Sequence, residues 1–266
     1  MYDLHVHSIY SNDSYPWATF ANICNEAIAK GLKGICFTDH VDIDYPGITD
    51  VFDLNDYCNE LNNIINSYGN SIEIYKGIEL GLQPHIIEEN KAFSSKSDID
   101  FVLGSIHVVD KKELYKNEYL EGKTDHEGIL SYFKDLKLSI NSFTDFDSLG
   151  HIDVVRRYLL NGESSFVYNI YKDYIVDILE YLIDKNIGIE INTSGKRYGL
   201  CSFHPYPEIL ALYKDLGGEI VTLGSDAHKP EDLGYAFNEA LELLKALKFK
   251  YYCIFKKRKP IFIRID

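Results

Sequence analysis

The chain lacks any surplus of positive charge, any apolar run of membrane length and any closely spaced cysteine pair, and each absence removes a class of function. Its 27 lysines and arginines face 41 aspartates and glutamates, a formal net charge of −14. Such a chain repels polyanions at long range. This argues against a general binder of nucleic acid or anionic membrane and suits a small substrate, especially one with an ammonium group. The one basic run, Lys256-Lys257-Arg258-Lys259, reads as a solvated strand edge or as a shield for a nearby anion. The five cysteines (Cys24, Cys36, Cys58, Cys201 and Cys253) are odd in number and form no Cys-x-x-Cys. Most read as small core hydrophobes in a reducing compartment. No stretch approaches the ~18 apolar residues of a membrane span, and no basic-then-apolar leader opens the chain, so a cytoplasmic protein is expected. Linkers, low-complexity tracts and internal repeats are also missing, so residues 1–266 are expected to form a single domain.

What is present is an alternation of strand-like and helix-like segments. Apolar and polar residues alternate over 2–7, which predicts a strand, and further strands are predicted over 32–38, 71–80, 99–108, 147–150, 187–192 and 219–223. Between them, helices are predicted over 17–30, starting after Pro16 and stopping at Gly31, then over 52–68, 85–97, 125–142, 166–185 and 231–247. About seven such βα units argue for a parallel α/β sheet with helices outside, closed into a barrel. Residues 251–264 add one or two apolar strands that would cap it.

The chemistry-bearing side chains gather at one place in this scheme. A His-x-His such as His5-Val6-His7 is weak alone, because nine histidines in 266 residues give about 0.3 such pairs by chance. Yet His5 and His7 end the first strand, His40 follows the second, and Glu79 ends the third. His107 ends the fourth and His151 the fifth, while Asp226 and His228 follow the seventh. Strand C-termini form the face on which parallel barrels build active sites. With Asp13 in the first loop these make nine nitrogen and oxygen ligands and no thiolate, a set for two or three divalent ions such as Zn, Mn or Fe.

Taken singly, a strand-end histidine is more often a hydrogen-bonded structural residue, and Asp13 more often a loop or capping acid. Glu79, inside Gly77-Ile78-Glu79-Leu80-Gly81, would be costly to bury unpaired, a cost that bridging two cations would meet. His85, His126 and His204 lack the strand-end setting and are set aside. Asp39, Asp3 and Asp153 are expected to support or orient neighbouring groups. Arg156, Arg157 and Arg197, on loops after the fifth and sixth strands, are candidates to clamp a phosphate, with a surface ion pair as the plainer alternative.

These residues together resemble the PHP (polymerase and histidinol phosphatase) family. The resemblance runs from His5 to about Pro230. It rests on Asp3-Leu4-His5-Val6-His7-Ser8, Thr38-Asp39-His40, Glu79, Gly104-Ser105-Ile106-His107, Gly150-His151-Ile152-Asp153 and Gly224-Ser225-Asp226-Ala227-His228. It implies a distorted (β/α)7 barrel with a metal cluster, commonly trinuclear. Matched by motif, His5, His7, Glu79 and Asp226 would surround one metal. Glu79, His107 and His151 would bind a second, and Asp13, His40 and His228 a third.

Within the family, Arg156-Arg157-Tyr158 after His151 and Glu190-Ile191-Asn192-Thr193-Ser194-Gly195 are most similar to the histidinol-phosphate phosphatases. That branch implies hydrolysis of L-histidinol phosphate to L-histidinol and phosphate, in histidine biosynthesis, by a hydroxide bridging two metals. Glu79, Asp226 and His228 would be the catalytic residues, the last two as ligands or as proton donors to the leaving alkoxide. One alternative is a PHP phosphoesterase acting on a nucleotide or on phosphotyrosine protein. Another is an amidohydrolase, whose usual bridging lysine has no obvious counterpart here. The non-enzymatic alternative is a barrel whose metals serve structure or binding alone. No nucleic-acid or membrane partner is expected, and the oligomeric state is not legible.

Overall fold

Runs that are apolar on both faces become parallel strands in the computed structural model, the arrangement in which both faces of a sheet are covered. The structure describes residues 1–48, 51–96 and 98–266. β1 (Tyr2–Val6), β2 (Gly34–Val41), β3 (Glu73–Gly81) and β4 (Phe101–Ser105) lead into a small hairpin of β5 (Val108–Val109) and β6 (Lys112–Glu113). β7 (Ser148–Leu149), β8 (Gly188–Asn192) and β9 (Val221–Gly224) follow. Seven of these pair in parallel in the order β1-β2-β3-β4-β7-β8-β9. The ring nearly closes between its ends. His7 N–H donates to the Ala227 carbonyl at 2.9 Å, and Asp226 N–H to the His5 carbonyl at 2.9 Å. β7 contributes only two residues, which distorts the barrel. The expected (β/α)7 barrel is the fold, built on one continuous hydrophobic core.

Helices α1 (Phe20–Ala29), α2 (Leu54–Tyr68), α3 (Ile87–Ser94), α4 (Asp125–Ser142), α5 (Tyr168–Asp184), α6 (Ser194–Arg197), α7 (Pro207–Asp215) and α8 (Phe237–Ala246) lie between the strands or follow them. Among the described residues, no helix is long and apolar enough to cross a membrane. α1 starts later than the expected residue 17, because Tyr15 to Ala18 is occupied by a turn and the Thr19 hydroxyl accepts from the Asn22 N–H. It stops at Gly31 as expected, with that glycine at φ +70°. Thr124 and Glu127 form a reciprocal capping box, and α4 has the expected bounds.

Other bounds shift. α3 is shorter than the expected 85–97, whose last residue lies outside the described ones. The helix expected over 231–247 is divided: Gly234 and Ala236 both take left-handed conformations and separate a 3-10 turn at Pro230–Asp232 from α8. Residues 193–218, unassigned from sequence, hold α6 and α7, the latter started by Pro207 in its first turn.

The C-terminal strands β10 (Tyr251–Lys256) and β11 (Lys259–Arg264) form an antiparallel hairpin. Its turn carries the basic run, and Arg258 is tied to Asp145, Asp147 and the Ser94 carbonyl. Asp100 accepts the Lys257 and Arg258 N–H groups. Asp100 and Asp147 directly precede β4 and β7, so the hairpin caps the N-terminal end of the barrel. Within the basic run Arg258 pairs with acids there, while Lys256, Lys257 and Lys259 are exposed as a solvated edge.

Candidate metal centre

Alternation along the strands delivers polar side chains to the C-terminal rim. His5 on β1 and His7 just past its end, two residues apart, project to the same side. The β2–β3 register sets His40 beside Glu79. Residues just beyond β4, β7 and β9 supply His107, His151, Asp226 and His228. Asp226 takes the left-handed conformation (φ +54°), which for an aspartate marks a backbone held by its surroundings.

The nine residues expected as ligands lie together. The buried Glu79 carboxylate faces five imidazoles. Its Oε2 is 3.3 Å from His5 Nε2, 3.5 Å from His7 Nε2 and 3.0 Å from His40 Nδ1. Its Oε1 is 3.4 Å from His107 Nε2 and 3.1 Å from His151 Nε2. Asp226 Oδ1 lies 3.5 Å from His7 Nε2, 3.5 Å from His228 Nδ1 and 3.7 Å from His5 Nε2. Asp13 Oδ2 closes the outer side, 3.2 Å from His228 Nε2 and 3.6 Å from His40 Nε2. His7 and His228 stack with ring centres 4.0 Å apart.

The far side of four rings is tied down. His5 Nδ1 meets Glu190 Oε1 at 2.7 Å and His107 Nδ1 meets Asp42 Oδ1 at 2.8 Å. His7 Nδ1 meets Ser11 Oγ at 3.0 Å, and that hydroxyl donates onward to Asp39 at 2.8 Å. His228 Nδ1 meets the Asp226 carbonyl at 3.1 Å. Carboxylates and carbonyls only accept, and the Ser11 proton is already committed. In the neutral form of each ring Nδ1 therefore carries the hydrogen and Nε2 offers its lone pair to the mouth.

Those lone pairs are the test of whether metals fit. Nε2 of His5, His7 and His228, Nδ1 of His40 and Oε2 of Glu79 are all buried without a hydrogen-bond partner. Buried polar atoms left unpaired are costly, and a cation satisfies several at once. Donors within reach of a single ion recur as His5-His7-Glu79, Glu79-His107-His151 and His7-His40-His228. Nitrogen and oxygen donors without sulfur suit Zn, Mn or Fe, so the residues fit a cluster of divalent ions.

The pKa shifts follow the same contacts. Burial disfavours a charge on Glu79, but His5, His107 and His40 outweigh it and hold its pKa well below the usual carboxylate range. Burial is likewise outweighed at Asp226 by His5, His7, His228 and Arg157, which hold its pKa low. Burial also opposes charge on His5, yet Glu190, Glu79 and Asp226 keep its pKa well above normal. Asp13 and Glu79 do the same against burial for His40, and Asp42 and Glu79 push His107 up to about 10. His7 is the exception, driven well down by burial and then by the charges of His228 and His40.

The three arginines part company. Arg156 is buried and its guanidinium is committed to Asp153, Glu163, Ser202 and the Phe203 carbonyl, so the expected phosphate contact is corrected to a structural one. Arg197 donates to the Ser225 and Asp226 carbonyls at 2.8 and 2.6 Å and pairs with Asp232, holding the loop that carries Asp226. Arg157 alone points its charge at the cluster. Its Nη2 is 3.6 Å from Asp226 Oδ2, and its guanidinium lies 4.1 Å over the Tyr198 ring.

Asp39 supports His7 through Ser11, while Asp3 accepts from Ser225 and Gly234 and so holds the β9 loop instead of a histidine ring. Asp153 holds His204, one of the histidines set aside. His85 and His126 pair with Asp44 and Tyr171, outside the cluster. Glu190, Asp42 and Ser11 were missed. Glu190 had a signal, since Gly188-Ile189-Glu190-Ile191-Asn192 repeats the apolar setting of Glu79.

A family model described as the PHP domain matches residues 3–194. A "Probable histidinol-phosphatase" of Clostridium acetobutylicum is 34% identical over 94% of this chain and 95% of its own length. A histidinol-phosphatase of Lactococcus lactis is 29% identical over 97% of this chain and 95% of its own. The crystal structure of histidinol phosphate phosphatase from that organism, complexed with zinc, L-histidinol and phosphate, superposes with a TM-score of 0.87 at 30% identity and 98% coverage of each chain. The chain belongs to the PHP family. Its end-to-end likeness puts it on the histidinol-phosphatase branch.

Proposed function

We propose that this chain hydrolyses L-histidinol phosphate to L-histidinol and inorganic phosphate, using divalent ions held at the strand C-termini. The observation that carries this reading is the full-length likeness to a phosphatase crystallised with zinc, L-histidinol and phosphate, joined to a pocket whose unpaired donors suit such ions. His5, His7, Glu79 and Asp226 would hold one ion, Glu79, His107 and His151 a second, and Asp13, His40 and His228 a third. Bound there, such ions lower the pKa of a coordinated water from 15.7 toward ~7 and neutralise charge on the phosphoryl oxygens.

The residues divide the remaining work. Glu79 spans the cluster through its two oxygens. Arg157, buttressed by Tyr198, supplies a fixed positive charge where the phosphoryl group would sit, and a planar guanidinium meets two phosphate oxygens at once. Asp226 is held ionised, so it accepts instead of donating a proton. A lone histidine acid would contribute about 10²- to 10⁴-fold, far short of the acceleration phosphomonoesters need, so the constellation as a whole is required. The free cysteines, four of them buried, fit a reducing, cytoplasmic setting.

The test is phosphate release from histidinol phosphate, nucleoside monophosphates and phosphotyrosine, with metal content measured on the same preparation. A strong preference for histidinol phosphate supports the reading. Broad, weak turnover transfers the chain to a sister phosphoesterase, and metal-free protein with full turnover removes the cluster from the account.

A further inference from the structure

Glu190 is buried at the middle of β8 and makes three polar contacts on two sides. Its Oε1 accepts from His5 Nδ1 at 2.7 Å. Its Oε2 accepts from the His151 N–H at 2.9 Å and from the Asn192 amide at 3.1 Å. The Asn192 amide cannot turn away, because its oxygen accepts from the Ser194 N–H at 3.0 Å and the Ser194 hydroxyl at 2.6 Å. That NH2 also approaches His5 Nδ1, at 3.4 Å. The neighbouring backbone leaves room for nothing else: a Cβ at Gly224 would lie 2.0 Å from Glu190 Oε1 and 2.5 Å from His5 Cβ.

We propose that Glu190 is a positioning residue that fixes the tautomer of His5 and thereby the ability of the centre to hold metal. This rests on the reading of His5 as a ligand. Only a carboxylate accepts on both sides. A glutamine here must aim its oxygen at the two donors on the Oε2 side, since its NH2 would otherwise collide with the His151 N–H and the Asn192 NH2. Its own NH2 then faces His5 Nδ1. That nitrogen becomes an acceptor, and the ring hydrogen moves to Nε2, which points at Glu79 and Asp226. A hydrogen on Nε2 blocks ligation. Aspartate is shorter but still accepts on both sides.

The full chain and its Glu190→Asp and Glu190→Gln variants are loaded with zinc and stripped with graded chelator, following retained zinc. Loss of an orienting partner weakens metal affinity by about 10- to 100-fold, and that loss is expected for Glu190→Gln, with Glu190→Asp closer to wild type. Packing alone would give the reverse order, because glutamine matches glutamate in shape. Glutamine holding zinc as well as or better than aspartate overturns the proposal. If Glu190→Gln does not fold, nitrogen NMR of the zinc-loaded wild type decides: a hydrogen on His5 Nδ1 supports the proposal, and a bare Nδ1 overturns it. A wild type that retains no zinc at all instead overturns the reading of the centre.

Discussion

Glu79 couples the two halves of the cluster, since its oxygens face different sets of imidazoles. Glu79→Gln keeps the volume but offers only one accepting atom, so kcat/KM is expected to fall at least about 100-fold with loss of bound metal. Near-wild-type turnover with full metal content would falsify the bridging role. The adjacent arginines predict opposite phenotypes. Arg156→Ala strands the buried Asp153 carboxylate and should cost about 3–5 kcal/mol in denaturant unfolding, with KM of the folded enzyme little changed. Arg157→Ala should leave the unfolding midpoint alone and lower kcat/KM by about 100-fold. Exchange of the two outcomes would overturn the assignment. This pair also shows where sequence stops being legible. His5, His7 and Glu79 could be placed because a strand of known phase ends beside them. Arg156 and Arg157 sit in a 3-10 turn over Val154–Tyr158, where one residue of phase separates a core ion pair from the pocket, and no periodicity signals which is which. Glu190 stayed hidden because its role depends on β1 and β8 lying on either side of β9, a closure that only the folded ring supplies.

Among the elements, those with a local chemical start were readable and those fixed by tertiary contact were not. α4 starts at a local capping box of Thr124 and Glu127, whereas the divided start of α8 answers to Asp3, which accepts the Gly234 N–H from β1. β4 ends at Ser105, short of the expected 108, because Ile106 and His107 leave the sheet for the rim. The C-terminal hairpin was read as a cap, but its anchor was not, since Asp100 and Asp147 lie far from Arg258 in sequence. Arg258→Ala should therefore destabilise the whole domain by roughly 2 kcal/mol, the partly exposed guanidinium keeping this below the cost of a fully buried pair. Thermal or denaturant unfolding measures it, and activity per folded molecule should not change because the hairpin is at the far end from the centre. A variant of unchanged stability would show that the hairpin does not seal the barrel floor.

Over the whole molecule, protons and metal ions compete for the same lone pairs, and this gives metal-free and metal-loaded protein opposite responses to pH. Without metal, Glu190, Glu79 and Asp226 hold His5 protonated, Asp13 and Glu79 hold His40, and Asp42 and Glu79 push His107 up to about 10. A histidine whose pKa is raised on folding stabilises the fold fully below its unfolded value near ~6.5, and that contribution drains away as pH climbs through the folded value. Glu79 and Asp226, lowered on folding, act in the other direction: their contribution is present above ~4 and is lost in acid. His7, kept neutral by burial and by neighbouring charge, adds to the acid loss below ~6.5. Metal-free protein should therefore lose stability between pH 7 and about 10. Ligation requires the unprotonated rings, so metal affinity rises over the same interval as fewer protons must be displaced. The measurement is Tm by calorimetry from pH 6 to 9, on chelator-stripped and zinc-loaded samples at fixed free zinc. The gap between the two curves should widen steadily with pH, because one falls as the other is increasingly supported by binding. A gap that stays constant or narrows would mean that zinc and protons occupy different atoms, and the imidazoles at this rim would then have to be removed from the metal's coordination.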